Sequence, residues 1–123
     1  MSMKPIDGQD RRVANIHRDE FEVWETGGVD RGESVLQLNG NEIGRGFHVY
    51  KMAPGTTSMP HEHMSDEEFF MISGELVDHD GTVYREGDLV WLKKGTQHSS
   101  YTKDGCVIAV YIQDPEAALP PEE

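Results

Sequence analysis

Along most of the chain, apolar and polar positions alternate in short runs that end at glycine or at an Asp-Gly or Asn-Gly pair. A period of two over four to eight residues is the pattern of a half-buried strand. It recurs at 21–25, 34–38, 47–53, 67–72, 75–77, 83–84, 88–93, 98–102 and 107–113, each rich in Val, Ile, Tyr, Phe, Trp or Thr. "HDG" (His79–Gly81) and "KDG" (Lys103–Gly105) supply Asp-Gly pairs suited to tight hairpins, and "NGNEIG" and "REGD" act as further breaks. No stretch sustains a 3.6-residue apolar period over three turns; residues 114–119 come nearest, with room for a single helical turn. Many short strands evenly spaced in one small chain predict an all-β sandwich or barrel.

The alternation also carries the candidate chemistry. In "PGTTSMPHEHMSDEEFFMISGE" (residues 54–75) two histidines stand one residue apart, followed by Asp66, Glu67 and Glu68. A helix would turn His61 and His63 to roughly opposite sides, at about 100° per residue. Pro60 before the pair and the apolar, aromatic "EFFMIS" after it also oppose a helix. An extended chain puts both imidazoles on one face, and a strand returning from Glu67 carries Glu67, Phe69 and Met71 on one face, with Glu67 opposite the histidines. Two imidazoles and a carboxylate converging from adjacent strands make a site for a divalent metal. The competing expectation is an exposed, acidic loop. A further donor, His98, opens a strand in "EGDLVWLKKGTQHSSYT".

Composition narrows the functional classes. With 123 residues the chain fits one domain, and with 36% hydrophobic residues its surface must be very polar. A formal charge of −12 opposes binding to nucleic acid or an anionic membrane, and favours capture of a cation. The longest apolar run, 106–112, is too short to span a bilayer, and MSMKPIDGQDRR holds no apolar core of the signal-peptide kind. The lone Cys106 excludes an internal disulfide, suits a reducing cytoplasm, and reads as buried packing. Residues 1–18 form a charged N-terminal arm, 19–113 the domain, and 114–123 (DPEAALPPEE) an acidic, proline-rich tail expected to fray.

The two histidine segments resemble the paired motifs of the cupin superfamily. Gly55, His61, His63, Glu67 and Gly74 match the first motif in full. Gly87, Gly95 and His98 match the second, with Lys93 in place of its proline and Thr102 in place of its asparagine. The likeness covers about residues 47–112 and is closest to small single-domain bacterial cupins. It implies a cupin jelly-roll β-barrel (a double-stranded β-helix) and one divalent ion per chain (iron, zinc, manganese or nickel) held by His61, His63, Glu67 and His98. Asp66 and Glu68 fall outside the motif spacing and read as solvated neighbours. "GELVDHDGTVYREGDLV", "GTQHSS" and "DGCVIAVYI" are further similar to a subgroup containing cupin domains of zinc-binding anti-sigma factors and small diketone-cleaving dioxygenases.

Three imidazoles and a carboxylate leave two positions open on a six-coordinate ion. The resemblance implies a dioxygenase-type enzyme acting on a small oxygenated organic substrate. An isomerase or lyase on a sugar acid, or a non-catalytic metal or small-ligand sensor, are the alternatives. Strand alternation, with Lys51 facing water, turns His48, Tyr50 and Met52 inward. Phe69 and Met71 share the face of Glu67, and Ser100 and Thr102 that of His98. His48 and Tyr50 are the acid–base candidates; Met52, Phe69, Met71, Ser100 and Thr102 are the pocket candidates. Trp91, Tyr101 and Tyr111 are expected in the opposite layer or a dimer interface, Phe70 and Ile72 in an intersheet or intersubunit core, Trp24 in packing, and His17 and His79 on the surface. The family implies a homodimer.

Overall fold

The computed structural model describes residues 2–120. Its strands are β1 (Glu22–Val23), β2 (Glu33–Leu36), β3 (Gly46–Met52), β4 (Thr56–Thr57), β5 (His61–Glu62), β6 (Glu67–Asp78), β7 (Val83–Arg85), β8 (Leu89–Leu92), β9 (Gln97–His98), β10 (Ser100–Thr102), β11 (Cys106–Ile112) and β12 (Ala117–Ala118). One 3-10 turn, Gly8–Asp10, lies in the N-terminal arm. No described helix is long and apolar enough to cross a membrane. The strands form a curled half-barrel, as the alternation predicts. The main path runs β1-β2-β3-β11-β6-β10-β4, with β7 and β8 also paired to β6, and a second sheet runs β12-β5-β9.

The turning point is Gly74. Patterning predicts two strands, 67–72 and 75–77, separated by a break, but the structure has one twelve-residue strand bent at Gly74, with φ at 81°. Before the bend β6 pairs with β11 and β8; beyond it, with β7 and β10. A glycine with positive φ in an antiparallel ladder makes a corner rather than an end. A β-bulge just before the bend changes which residues face inward: Ile72 is an extra residue between the pairs Met71↔Ile108 and Ser73↔Val107, so Glu67, Phe69 and Met71 are buried before it, Leu76 and Asp78 after it. A Cβ on Gly74 would lie 2.2 Å from the Gly105 carbonyl oxygen and 2.8 Å from Cys106 Cα. The two nearest atoms are backbone of the neighbouring strand, which cannot swing aside as a flexible side chain would. Gly74→Ala is therefore expected to destabilise the protein by about 2–4 kcal/mol in urea unfolding, combining the positive-φ strain with overpacking. Wild-type stability in that variant would contradict the corner's role.

Inward alternation builds the core. Cys106, Ile108 and Val110 of β11 pack with Met52, Phe69, Met71, Leu76 and Tyr84. Cys106 is buried as expected, and burial pushes its thiol pKa up. Outward, Phe47 and Tyr111 pair across β3 and β11, while Phe70 and Leu89 pair across β6 and β8. These four and Trp91 are exposed in the single chain. Phe70 thus fills no intersheet core, whereas Ile72 is half-buried beside Phe21 and beside Ile16 of the arm.

The C-terminal segment departs from both expectations made for it. Residues 114–119 form no helical turn, and 114–120 do not trail away. Ala117 and Ala118 instead pair with Glu62 and His61, and the Leu119 N–H donates to the Pro60 carbonyl at 3.1 Å. Pro115 disfavours a helix for the residue before it, and the open edge of β5 offers backbone partners. Residues 121–123 lie outside the described chain.

Candidate metal centre

The second sheet gathers the histidines. His61 of β5 stands directly opposite His98 of β9 in an antiparallel pair, so their side chains are cross-strand neighbours. The ladder continues through the His63 N–H, which donates to the Thr96 carbonyl at 2.9 Å, and through the Gly95 N–H, which donates to the His63 carbonyl at 2.8 Å. The imidazole centroids lie 4.5 to 5.1 Å apart. One ring nitrogen from each of His61, His63 and His98 falls within 4.8 Å of the others.

Each imidazole is also held in a defined tautomer. His61 Nδ1 meets the Met59 carbonyl at 2.8 Å, His63 Nδ1 the Thr96 hydroxyl at 2.9 Å, and His98 Nδ1 the Asp78 carboxylate at 3.1 Å. Carbonyl and carboxylate oxygens only accept, and Thr96 spends its proton on the Lys93 carbonyl at 2.7 Å. All three Nδ1 atoms are therefore donors, which turns the Nε2 atoms to the centre; that of His61 meets the Glu116 carboxylate there. Partners on the far nitrogen that fix the ring in this way are what metal-ligating histidines require. The Lys93 contact also shows how the turn holds without the motif's proline: its carbonyl anchors Thr96.

His63 supplies the test of fit. It is 1% exposed, and its Nε2 is a buried nitrogen without a hydrogen-bond partner among the described residues. Such an orphan costs about 1–3 kcal/mol unless something occupies its lone pair. The Glu67 carboxylate lies 3.5 Å from that nitrogen without bonding to it. Two carboxyl side chains stand beside this group, Glu67 at His63 and Glu116 at His61, and with the three imidazoles they make a donor set suited to a divalent transition metal. The residues fit the ion.

The centre borders a cavity of about 230 Å³. His48 and Tyr50, the acid–base candidates, line it together with Met52, Phe69 and Ser100 of the expected pocket. Met71 and Thr102 do not. Met71 is fully buried in the core, two residues further along β6 than Phe69, and the Thr102 hydroxyl is spent on the Glu75 carbonyl at 2.7 Å. Trp24, expected only to pack, forms cavity wall and meets the Tyr50 ring edge-on at 6.1 Å. His17 and His79 are exposed, as anticipated. Asp66 is more than a solvated neighbour: it accepts from the Lys94 N–H at 2.8 Å and so ties the two motif segments together.

Three acids escaped the sequence reading. Asp78, buried beyond the Gly74 bend, accepts from His98, from the Ser100 hydroxyl and from the Tyr84 hydroxyl. Burial raises its pKa, but those three bonds outweigh burial and hold it below the ordinary value. Glu116 Oε2 lies 2.5 Å from His61 Nε2. Burial opposes charge on both partners, yet their mutual bond raises the pKa of His61 and lowers that of Glu116. Glu33 lines the cavity by Tyr50; burial, with the nearby Glu116 charge, raises its pKa. Burial and the Glu33 charge likewise hold Tyr50 far above its usual value, so its phenol stays protonated. Burial lowers the pKa of His48, whose Nδ1 donates to the Gly46 carbonyl at 3.0 Å, leaving Nε2 as an acceptor.

The family model of the ChrR cupin-like domain matches residues 10–114. The chain belongs to that family. Solved structures share the fold of this cupin at low sequence identity. An acetylacetone dioxygenase from Acinetobacter johnsonii superposes with a TM-score of 0.74 at 12% identity, covering 98% of this chain and 85% of that one. The polyketide cyclase RemF from Streptomyces resistomycificus gives 0.70 at 16% identity, covering 92% and 88%. An RmlC-like cupin protein from Ralstonia eutropha gives 0.70 at 13% identity, covering 97% and 73%. No curated protein matches this cupin in sequence.

Proposed function

We propose that this cupin is a metal-dependent enzyme of dioxygenase type acting on a small oxygenated organic molecule. The observation that carries the reading is the set of three imidazoles with Nδ1 tied back and Nε2 turned together at the border of a cavity. His61, His63 and His98 would hold the ion, with Glu67 as the carboxylate beside His63. Bound there, a divalent metal supplies Lewis-acid polarisation of a substrate oxygen, and iron adds redox chemistry with dioxygen.

The chain's own residues complete the site. Trp24, Met52, Phe69, Ile108 and Val110 give the cavity apolar walls against which the carbon skeleton of a substrate can pack. Its volume, about 230 Å³, lies below the usual range for drug-sized ligands and suits a compact substrate. Neutral His48 presents an accepting Nε2, suited to taking a proton from an acidic carbon or hydroxyl group. Protonated Tyr50 serves as a hydrogen-bond donor to a substrate oxygen. The fold's likeness to an acetylacetone dioxygenase favours a compound with two neighbouring carbonyl or enol oxygens.

Iron-loaded protein is expected to consume oxygen in the presence of one or more small diketones or keto acids, and the His98→Ala variant is not. Turnover without oxygen would replace this reading with an isomerase or lyase. A non-catalytic metal or ligand sensor is the second reading, favoured by the sequence resemblance to the cupin domains of anti-sigma factors; saturable ligand binding without turnover by the iron-, zinc-, manganese- or nickel-loaded protein would select it.

A further inference from the structure

The C-terminal segment forms part of the cavity wall through Pro115, Glu116 and Ala118. Few bonds hold it. Besides the two-residue pairing of β12 with β5, the Leu119 N–H reaches Pro60, the Asp114 N–H reaches the Ser65 hydroxyl at 3.0 Å, and Arg45 pairs with Asp114 at 3.7 Å. A short edge pairing with so little buried apolar surface belongs to the low-stability end of a fold, where local opening is easy. Yet this segment delivers a carboxylate to His61 Nε2, at 2.5 Å, against the nitrogen that the other contacts leave available for a metal. Imidazoles bring no negative charge to offset a divalent ion in a partly enclosed cavity. Glu67 lies beside His63 and Glu116 beside His61, so the two acids stand on different members of the triad.

We propose that residues 114–119 form a metal-responsive strap: Glu116 is a carboxylate donor of the centre, so that loading the centre fastens the strap across the cavity. The inference rests on the three-histidine centre described above and adds to it a donor from outside the motif segments. By linkage, whatever the strap contributes to holding the ion, the ion returns as stability of the closed strap. In the metal-free protein Glu116 is retained by His61 alone. In the loaded protein, opening the strap would also break a bond to the ion. Access to the cavity would then depend on metal occupancy.

Zinc binding by chelator competition, together with hydrogen exchange of residues 115–119, tests this on the full chain. Zinc is expected to slow exchange of that segment at least about tenfold in the wild type and not in Glu116→Gln. The same substitution, which keeps the side chain's shape, is expected to weaken zinc binding about 10- to 100-fold. Wild-type affinity in Glu116→Gln, or strap exchange indifferent to zinc in a wild type that binds it, would overturn the strap while leaving the three-histidine centre in place. Failure of the wild type to bind zinc, iron, manganese or nickel would remove both.

Discussion

His63→Ala is expected to lower divalent-metal affinity by roughly a hundredfold or more, while His79→Ala leaves it unchanged. His63 is the best-buried of the three imidazoles, and its Nε2 has no hydrogen-bond partner among the described residues. An alanine there removes a donor that no neighbour can replace. The metal-free variant should lose only about 1–2 kcal/mol of stability, because deleting an orphaned nitrogen offsets part of the cost of the cavity left behind. A purely structural histidine would behave in the opposite way, with a large loss of stability and no change in metal binding. Chelator competition and urea unfolding of the metal-free protein separate the two. Equal metal retention in His63→Ala and His79→Ala would contradict the assignment.

Asp78→Ala is expected to damage both stability and metal binding. The carboxylate is a shared acceptor for His98 Nδ1, Ser100 Oγ and the Tyr84 hydroxyl, with the Tyr84 contact at 2.5 Å. Removing it leaves three buried donors without a partner, at about 3–5 kcal/mol in unfolding experiments. The His98 ring also loses the partner that fixes its tautomer, so metal affinity should fall about 10- to 100-fold even where the variant remains folded. Asp78→Asn keeps an acceptor oxygen and should fall between the two. An Asp78→Ala protein as stable as the wild type, or one that binds metal equally well, would show that Asp78 neither braces the fold nor orients His98.

The residues that could be read from sequence are those whose neighbours are local. Alternation identified most of the strands, and the spacing of His61, His63 and His98 with the glycines of the two motifs pointed to the centre. Asp78 was hidden by a β-bulge. Alternation continued straight through 67–77 gives odd-numbered residues the inner face, but Ile72 is an extra residue between the pairs Met71↔Ile108 and Ser73↔Val107, and that shift brings Leu76 and Asp78 inside. Met71 and Thr102 failed as pocket residues for a related reason. A shared face does not mean a shared cavity, since two residues along a strand is nearly 7 Å. Glu116 lay beyond local reasoning altogether. An Ala-Ala pair in a proline-rich acidic stretch carries no strand signal, and its pairing depends on the edge that β5 presents after the rest has folded. Glu33, at the start of β2, faces the cavity only because β2 pairs with β3 and brings it to the Tyr50 side.

Anomalous diffraction from crystals loaded with zinc or iron, recorded on either side of the metal's absorption edge, tests the central claim directly. A single strong peak is expected between the Nε2 atoms of His61, His63 and His98, with a carboxylate oxygen beside it. Imidazoles turned away from one another, or a peak elsewhere with only solvent between these three side chains, would contradict it.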